Sequence, residues 1–280
     1  MKVFIKERKD KIMSKKAILV VSFGTSYHET RKATIEAIEN KIKEDFKDYE
    51  VRRAFTSGMI INKLKKRDGI FIDNTEEALE RLANDGFEDV YVQCLHIMPG
   101  EEYDDIKIAV HKYEYKKIFK KLVLGRPLLY RTDDYFKAVE ALKNQIPERI
   151  EDHAVVFMGH GSTHHANSSY ALFQYVINES GLNNVLIANV EGFPELDVII
   201  PKLKEKNIKE ITLMPFMLVA GDHATNDMAG DEEDSWKSIL ENEGFKVNIY
   251  LHGIGENENI QKIFIQHLQD CIDGNPLIEE

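Results

Sequence analysis

The chain has 280 residues, 43% of them apolar, and a formal charge of −11 at pH 7 with a pI near 5.5. That length builds one large or two ordinary domains, and the acidic balance excludes nonspecific nucleic-acid binding, which needs a positive surface. Two distant cysteines, Cys94 and Cys271, support neither a disulfide framework nor a thiolate metal site, and no apolar run nears the roughly 20 residues of a membrane span. The opening stretch, MKVFIKERKDKIMSKKAILVV, is basic, but charges interrupt it before a signal-type apolar core forms. A cytoplasmic location is the resulting expectation, with Met13 as a second candidate start directly before the first strand.

Short apolar runs then alternate with segments of helical period. AILVVSF (17–23) predicts a buried strand, and ETRKATIEAIENKIKEDF (29–46) a helix with Ile35, Ile38 and Ile42 on one stripe. YEVRRAFTS (49–57) is a second strand. NTEEALERLANDGF (74–87) is a helix, capped at Asn74 or Thr75 and closed at Gly86. DVYVQCLHI (89–97) is a third strand, IKIAVHKYEYKK (106–117) a helix and KLVLGRPLL (121–129) a fourth strand. The second half repeats the scheme with strands at 154–160, 185–192, 210–221 and 246–255. Its helices fall at 166–180, 195–207, 234–245 and 257–273, and Pro201 threatens a kink inside the second of them. Such alternation specifies an α/β fold with parallel sheets covered by helices.

The halves also match in detail. VVSFGTSYHET aligns with VFMGHGSTHHA, and LHIMPGEEYDD with FMLVAGDHATND through Gly100 and Gly221. An internal duplication follows, giving two similar lobes that face each other across a cleft. The lobes are expected at 14–130 and 131–280, with the terminal helix able to return to the first. Ligands bind outside the carboxyl ends of strands in such sheets. There the halves differ, because Phe23 aligns with His160 and Glu102 with His223.

His160 follows a strand directly, between Gly159 and Gly161. Glu191 ends the next strand, and Asp222 with His223 ends a third. Two imidazoles and a carboxylate with open positions suit a divalent first-row metal such as cobalt, iron or zinc. A histidine held only by turn hydrogen bonds is the competing reading for His160. Neighbouring helical residues diverge by about 100°, so His164 and His165 cannot both join His160, and solvated first-turn residues are the simpler reading of His165. Glu195 reads as a helix-start acid. His96 ends the third strand of the first lobe, facing the cleft or buried in the core. The SFGTS turn offers backbone amides for an anion but matches neither nucleotide fingerprint, and no strand is followed by GxGxxG or GxxxxGK.

The blocks SFGTSYHETR, LHIMPGEEYDD, FMGHGSTHHAN, VEGFPELD and LMPFMLVAGDHATNDMAGDEEDSWK resemble, in order and spacing, the anaerobic cobalt chelatases of cobalamin biosynthesis, the CbiK family. The resemblance spans residues 14–270 and implies a two-lobed chelatase fold. It implies insertion of Co2+, the substrate metal, into the reduced tetrapyrrole sirohydrochlorin without ATP or another nucleotide. It carries the metal ligands onto His160, Glu191 and His223, the trio already chosen from strand ends. Ser22, Gly24, Thr25 and His96 become the candidate macrocycle-facing residues, and Arg53 or Arg126 candidate partners of its carboxylates. The expected partners are sirohydrochlorin and a divalent metal, with self-association open and neither nucleic acid nor membrane among them. Insertion of iron into the same macrocycle, and a carrier without turnover, are the alternatives.

Overall fold

The computed structural model describes residues 14–147 and 151–274. The region around the two candidate starts lies outside the described residues.

Apolar residues at alternating positions build two sheets that share one topology. β1 (Lys16–Ser22), β2 (Glu50–Phe55), β3 (Asp89–Cys94) and β4 (Lys121–Leu124) form the first, in the order β2-β1-β3-β4. β5 (His153–Gly159), β6 (Val185–Asn189), β7 (Glu210–Pro215) and β8 (Lys246–Ile249) form the second, in the order β6-β5-β7-β8. Every pairing is parallel. The two-lobed α/β expectation therefore describes the molecule, down to the same strand order in each lobe.

Period-two alternation sorts each strand between two cores. In β1, Ala17, Leu19 and Val21 pack beneath α4 (Thr75–Asn84) and α5 (Glu101–Tyr115), while Ile18 and Val20 face the other way. In β5, Ala154, Val156 and Met158 lie against α8 (Leu196–Glu205) and α9 (Trp236–Asn242), with Val155 and Phe157 opposite. The opposite faces of both sheets join one continuous inner core. α2 (Ile35–Asp45), α6 (Thr132–Leu142), α7 (Ser168–Glu179) and α10 (Glu258–Ile272) complete it.

The helices after the fourth strands tie the two sheets together. α6 packs on α7, and α10 packs on β3, β4, α2 and α6. Beneath them Arg126 Nε donates to Asp134 Oδ2 at 3.0 Å, and His267 Nε2 donates to Asp134 Oδ1 at 3.1 Å. Arg126 Nη1 lies 2.8 Å from Asp270 Oδ2. Burial alone would push Asp134 upward, but the hydrogen bonds from His267 and Arg126 hold it well below the usual carboxylate range.

Several elements differ from the sequence expectation for identifiable reasons. The helix expected at 29–46 breaks at Thr34 into α1 (His28–Ala33) and α2. The Thr34 hydroxyl donates to Thr30 O at 2.6 Å and its backbone leaves the helical region. α3 (Gly58–Asp68) and α6 were not expected, yet α3 carries its signals: Ser57 caps it and Gly69 closes it in the left-handed region. α5 starts at Glu101 rather than 106, because Gly100 and an acidic first turn open it. The strands expected to reach 192, 221 and 255 stop at Asn189, Pro215 and Ile249, and α8 runs through Pro201.

Candidate metal centre

β5 is central in the second sheet, with β6 and β7 on its two sides. The residues leaving the carboxyl ends of these three strands are therefore neighbours, however far apart they are in the chain. His160 follows β5 at once, Glu191 lies two residues beyond β6, and His223 sits at the start of a π-turn, Ala224–Met228, beyond β7.

Glycines bring the first two together. Glu191 N donates to His160 O at 2.7 Å, and Val190 N to Gly159 O at 3.0 Å, so the turns after β5 and β6 lie in contact. Gly161 has φ +81°, and a Cβ there would lie 1.9 Å from Glu191 O. No other residue lets the two turns close in this way.

His160, Glu191 and His223 each offer a ligand atom, and these atoms all lie within 4.8 Å of one another. Among the described residues this is the one group of three or more His, Cys, Asp or Glu with such spacing. The imidazoles of His160 and His223 meet edge to face, with centroids 4.9 Å apart and planes at 88°. His160 Nδ1 lies 3.0 Å from Gly161 O, and His223 Nδ1 lies 2.5 Å from Asp227 Oδ2. A carbonyl and a carboxylate only accept, so both Nδ1 atoms donate, and whenever the rings are neutral each Nε2 is the nitrogen with the lone pair. Two imidazole nitrogens and an exposed carboxylate make a donor set for a borderline divalent metal with coordination positions left open.

The cobalt chelatase (CbiK) family model matches residues 16–273. The chain belongs to the cobalt chelatase family. It is 44% identical over 266 residues to the sirohydrochlorin cobaltochelatase of Salmonella typhimurium, spanning 95% of this chain and 99% of that protein. It is 35% identical over 265 residues to the sirohydrochlorin cobaltochelatase CbiKC of Nitratidesulfovibrio vulgaris, spanning 93% and 92%. Among solved structures, SirB from Bacillus subtilis with Fe3+ aligns with a TM-score of 0.62 at 15% identity, over 94% of this chain and 98% of that one. At that identity the likeness shows the shared chelatase fold alone.

Other residues singled out in the sequence take different positions in this cobalt chelatase family member. The rings of His164 and His165 lie against each other, with centroids 4.0 Å apart and planes tilted by 39°, and neither joins the His160 cluster. His164 Nε2 instead lies 3.4 Å from Asp104 Oδ2 of the first lobe. Glu195 caps the start of α8 in position only, with no side-chain hydrogen bond to the helix.

The residues expected to face the macrocycle are largely withdrawn from the surface. Ser22 and Thr25 are buried, and Thr25 Oγ1 is taken by the amide of Tyr27 at 3.2 Å. Gly24 lies over the Phe55 ring. Both ring nitrogens of His96 are buried without a partner, and burial pushes its pKa down to about 4. The side chain this turn exposes is that of Phe23. Arg53 and Arg126 are not free for substrate carboxylates either. Arg53 forks onto Glu39 at 2.6 and 2.5 Å and reaches Glu36, while Arg126 is spent on Asp134 and Asp270.

Sequence reasoning missed Asp227, the partner of His223, and Tyr27, whose hydroxyl donates to Asp222 Oδ1 at 3.1 Å across the lobes. The i, i+4 spacing of His223 and Asp227 was a readable signal. The Tyr27 contact had none, because it joins different lobes.

Proposed function

We propose that this protein inserts Co2+ into sirohydrochlorin without ATP, with His160, Glu191 and His223 as the residues that hold the incoming metal and act in its transfer. The observation that carries the reading is the convergence of three ligand atoms within 4.8 Å at the strand ends of a chain in the cobalt chelatase family. Both relatives described above are named sirohydrochlorin cobaltochelatases, which favours cobalt over iron insertion into the same macrocycle. The absence of any phosphate-binding fingerprint after a strand supports chemistry without a nucleotide. Among the described residues no helix is long and apolar enough to cross a membrane. Two buried, unpaired thiols suit a reducing compartment, and the cytoplasm is the location we propose.

The geometry gives the residues a consistent task. Metal insertion displaces two pyrrole N–H protons from the macrocycle. As Co2+ leaves Nε2 of His160 and Nε2 of His223, each lone pair becomes free to take up a proton, a dual role that imidazole performs as both metal ligand and base. Exchanging one dication for two protons leaves the charge of the trio unchanged, so the transfer does not strand charge in the cleft. Glu191 offsets part of the metal charge before the exchange.

The deciding experiment is an anaerobic insertion assay with sirohydrochlorin and Co2+, Fe2+, Ni2+ and Zn2+ side by side, followed by absorbance. Many turnovers per protein with Co2+ are expected. A single stoichiometric event would make the protein a carrier, and faster turnover with Fe2+ would make it an iron chelatase.

A further inference from the structure

The two histidines of the proposed centre are backed differently. His160 Nδ1 donates to a neutral backbone carbonyl, Gly161 O at 3.0 Å, whereas His223 Nδ1 donates to a carboxylate, Asp227 Oδ2 at 2.5 Å. We infer that Asp227 is a positioning residue that fixes His223 with Nε2 toward the metal and strengthens it as a ligand. The inference rests on the metal-centre reading above and adds to it a residue that does not itself touch the metal.

Three observations support it. Asp227 lies one turn beyond His223 on the π-turn Ala224–Met228, a geometry frequent at functional sites. That turn is rigidly mounted: Ala224 and Met228 are buried in the second-lobe core, Thr225 Oγ1 donates to Gly221 O at 2.9 Å, and Gly230 N donates to Asn226 O at 3.0 Å. The Asp227 side chain is itself 47% exposed, and its contact is with the imidazole, so packing does not account for it. A carboxylate that accepts the far N–H of a metal-bound imidazole fixes tautomer and ring orientation and raises ligand basicity.

The test uses the full chain and Co2+ alone, without macrocycle. Affinity is read by competition with a chromophoric chelator, and geometry by the visible d–d bands. Asp227→Ala should weaken Co2+ about 10- to 100-fold and shift the bands, the range typical of losing such a partner. Asp227→Asn should fall between it and the parent, because an amide oxygen still accepts but carries no charge. Asp231→Ala, an acid of the same loop paired with Lys237, should match the parent. Thermal melting checks that the variants fold, and if Asp227→Ala does not, the Asn variant carries the comparison. Parent-like affinity and bands in the folded Asp227 variants, alongside loss of binding in His160→Ala, would overturn the inference and leave the metal centre standing. Undiminished binding in His160→Ala would overturn the metal-centre reading itself, and the role of Asp227 with it.

Discussion

The two lobes repeat one topology and differ at the strand ends, and hydrogen bonding aligns those ends residue by residue. Thr56 N donates to Ser22 O and Ser57 N to Phe23 O in the first lobe, as Val190 N does to Gly159 O and Glu191 N to His160 O in the second. Leu95 N donates to Val21 O as Phe216 N does to Met158 O. His160, Glu191 and His223 therefore correspond to Phe23, Ser57 and Glu102. The first-lobe set has no metal-binding character: Phe23 is a part-exposed ring, Ser57 is spent as the cap of α3, and Glu102 lies in the first turn of α5. The backbone is common property, and three side chains turn one copy of it into a candidate metal centre. A regular helix, α5, follows Gly100, whereas the π-turn bearing His223 follows Gly221.

The largest expected effect comes from erasing this difference. His160→Ala and His223→Ala should each lower insertion more than about a hundredfold, beyond the loss typical of an outer partner, and Glu191→Gln should remove most of it. Sirohydrochlorin binding, followed separately by absorbance titration, should persist in all three. Phe23→Ala in the other lobe should leave Co2+ binding unchanged. Normal cobalt affinity in the His223 variant, or its loss in the Phe23 variant, would break the assignment of the centre to the second lobe.

A second effect concerns His96, which stands where the second lobe has Met217: Leu128 N donates to His96 O as Ile254 N does to Met217 O. The folded pKa of His96, about 4, lies below the unfolded value near 6.5. Neutral His96 is thus favoured by the fold. Its contribution to stability is complete above pH 6.5 and is lost as pH falls toward 4, by at most about 1.4 kcal/mol per pH unit. His96→Met should remove that slope. Urea unfolding at pH 7.5 and pH 5 should show the parent losing more stability than the variant, and equal losses would mean the ring finds a partner in solution.

The smallest effects belong to the cleft rim, where the lobes reach across to each other in a matched pair. Tyr27 and His164 hold equivalent positions after β1 and β5, and each contacts an acid of the opposite lobe, Asp222 or Asp104. Tyr27→Phe and His164→Ala should each cost roughly 1 kcal/mol or less in unfolding free energy. The His164 variant, and His165→Ala with it, should keep most of the insertion activity. Loss of activity in His164→Ala as complete as in His160→Ala would place His164 within the reacting site.

The order of the strands and the likeness of the two halves were readable because they depend on near neighbours, whereas α3 and α6 were not read. Alternation at i, i+2 marks a buried strand, and glycine immediately after an apolar run marks the place where a side chain can leave the sheet. GHG and AGDH carried that signal, as did the matching turns of the two halves. The split of the first helix at Thr34 was less legible, since a local hydroxyl hydrogen bond overrides a correct apolar stripe. What only the tertiary structure decided is which distant groups meet. It put β6 and β7 on either side of β5, which assembles the trio. It packed α6 on α7 and laid α10 on β3, β4 and α2, so that both sheets share an inner core. It assigned Arg53 to Glu39 and Arg126 to Asp134, and it buried the hydroxyls of Ser22 and Thr25. Residue type states what a side chain is able to bind, but its actual partner is set by packing between segments far apart in the chain, and no local pattern encodes that choice.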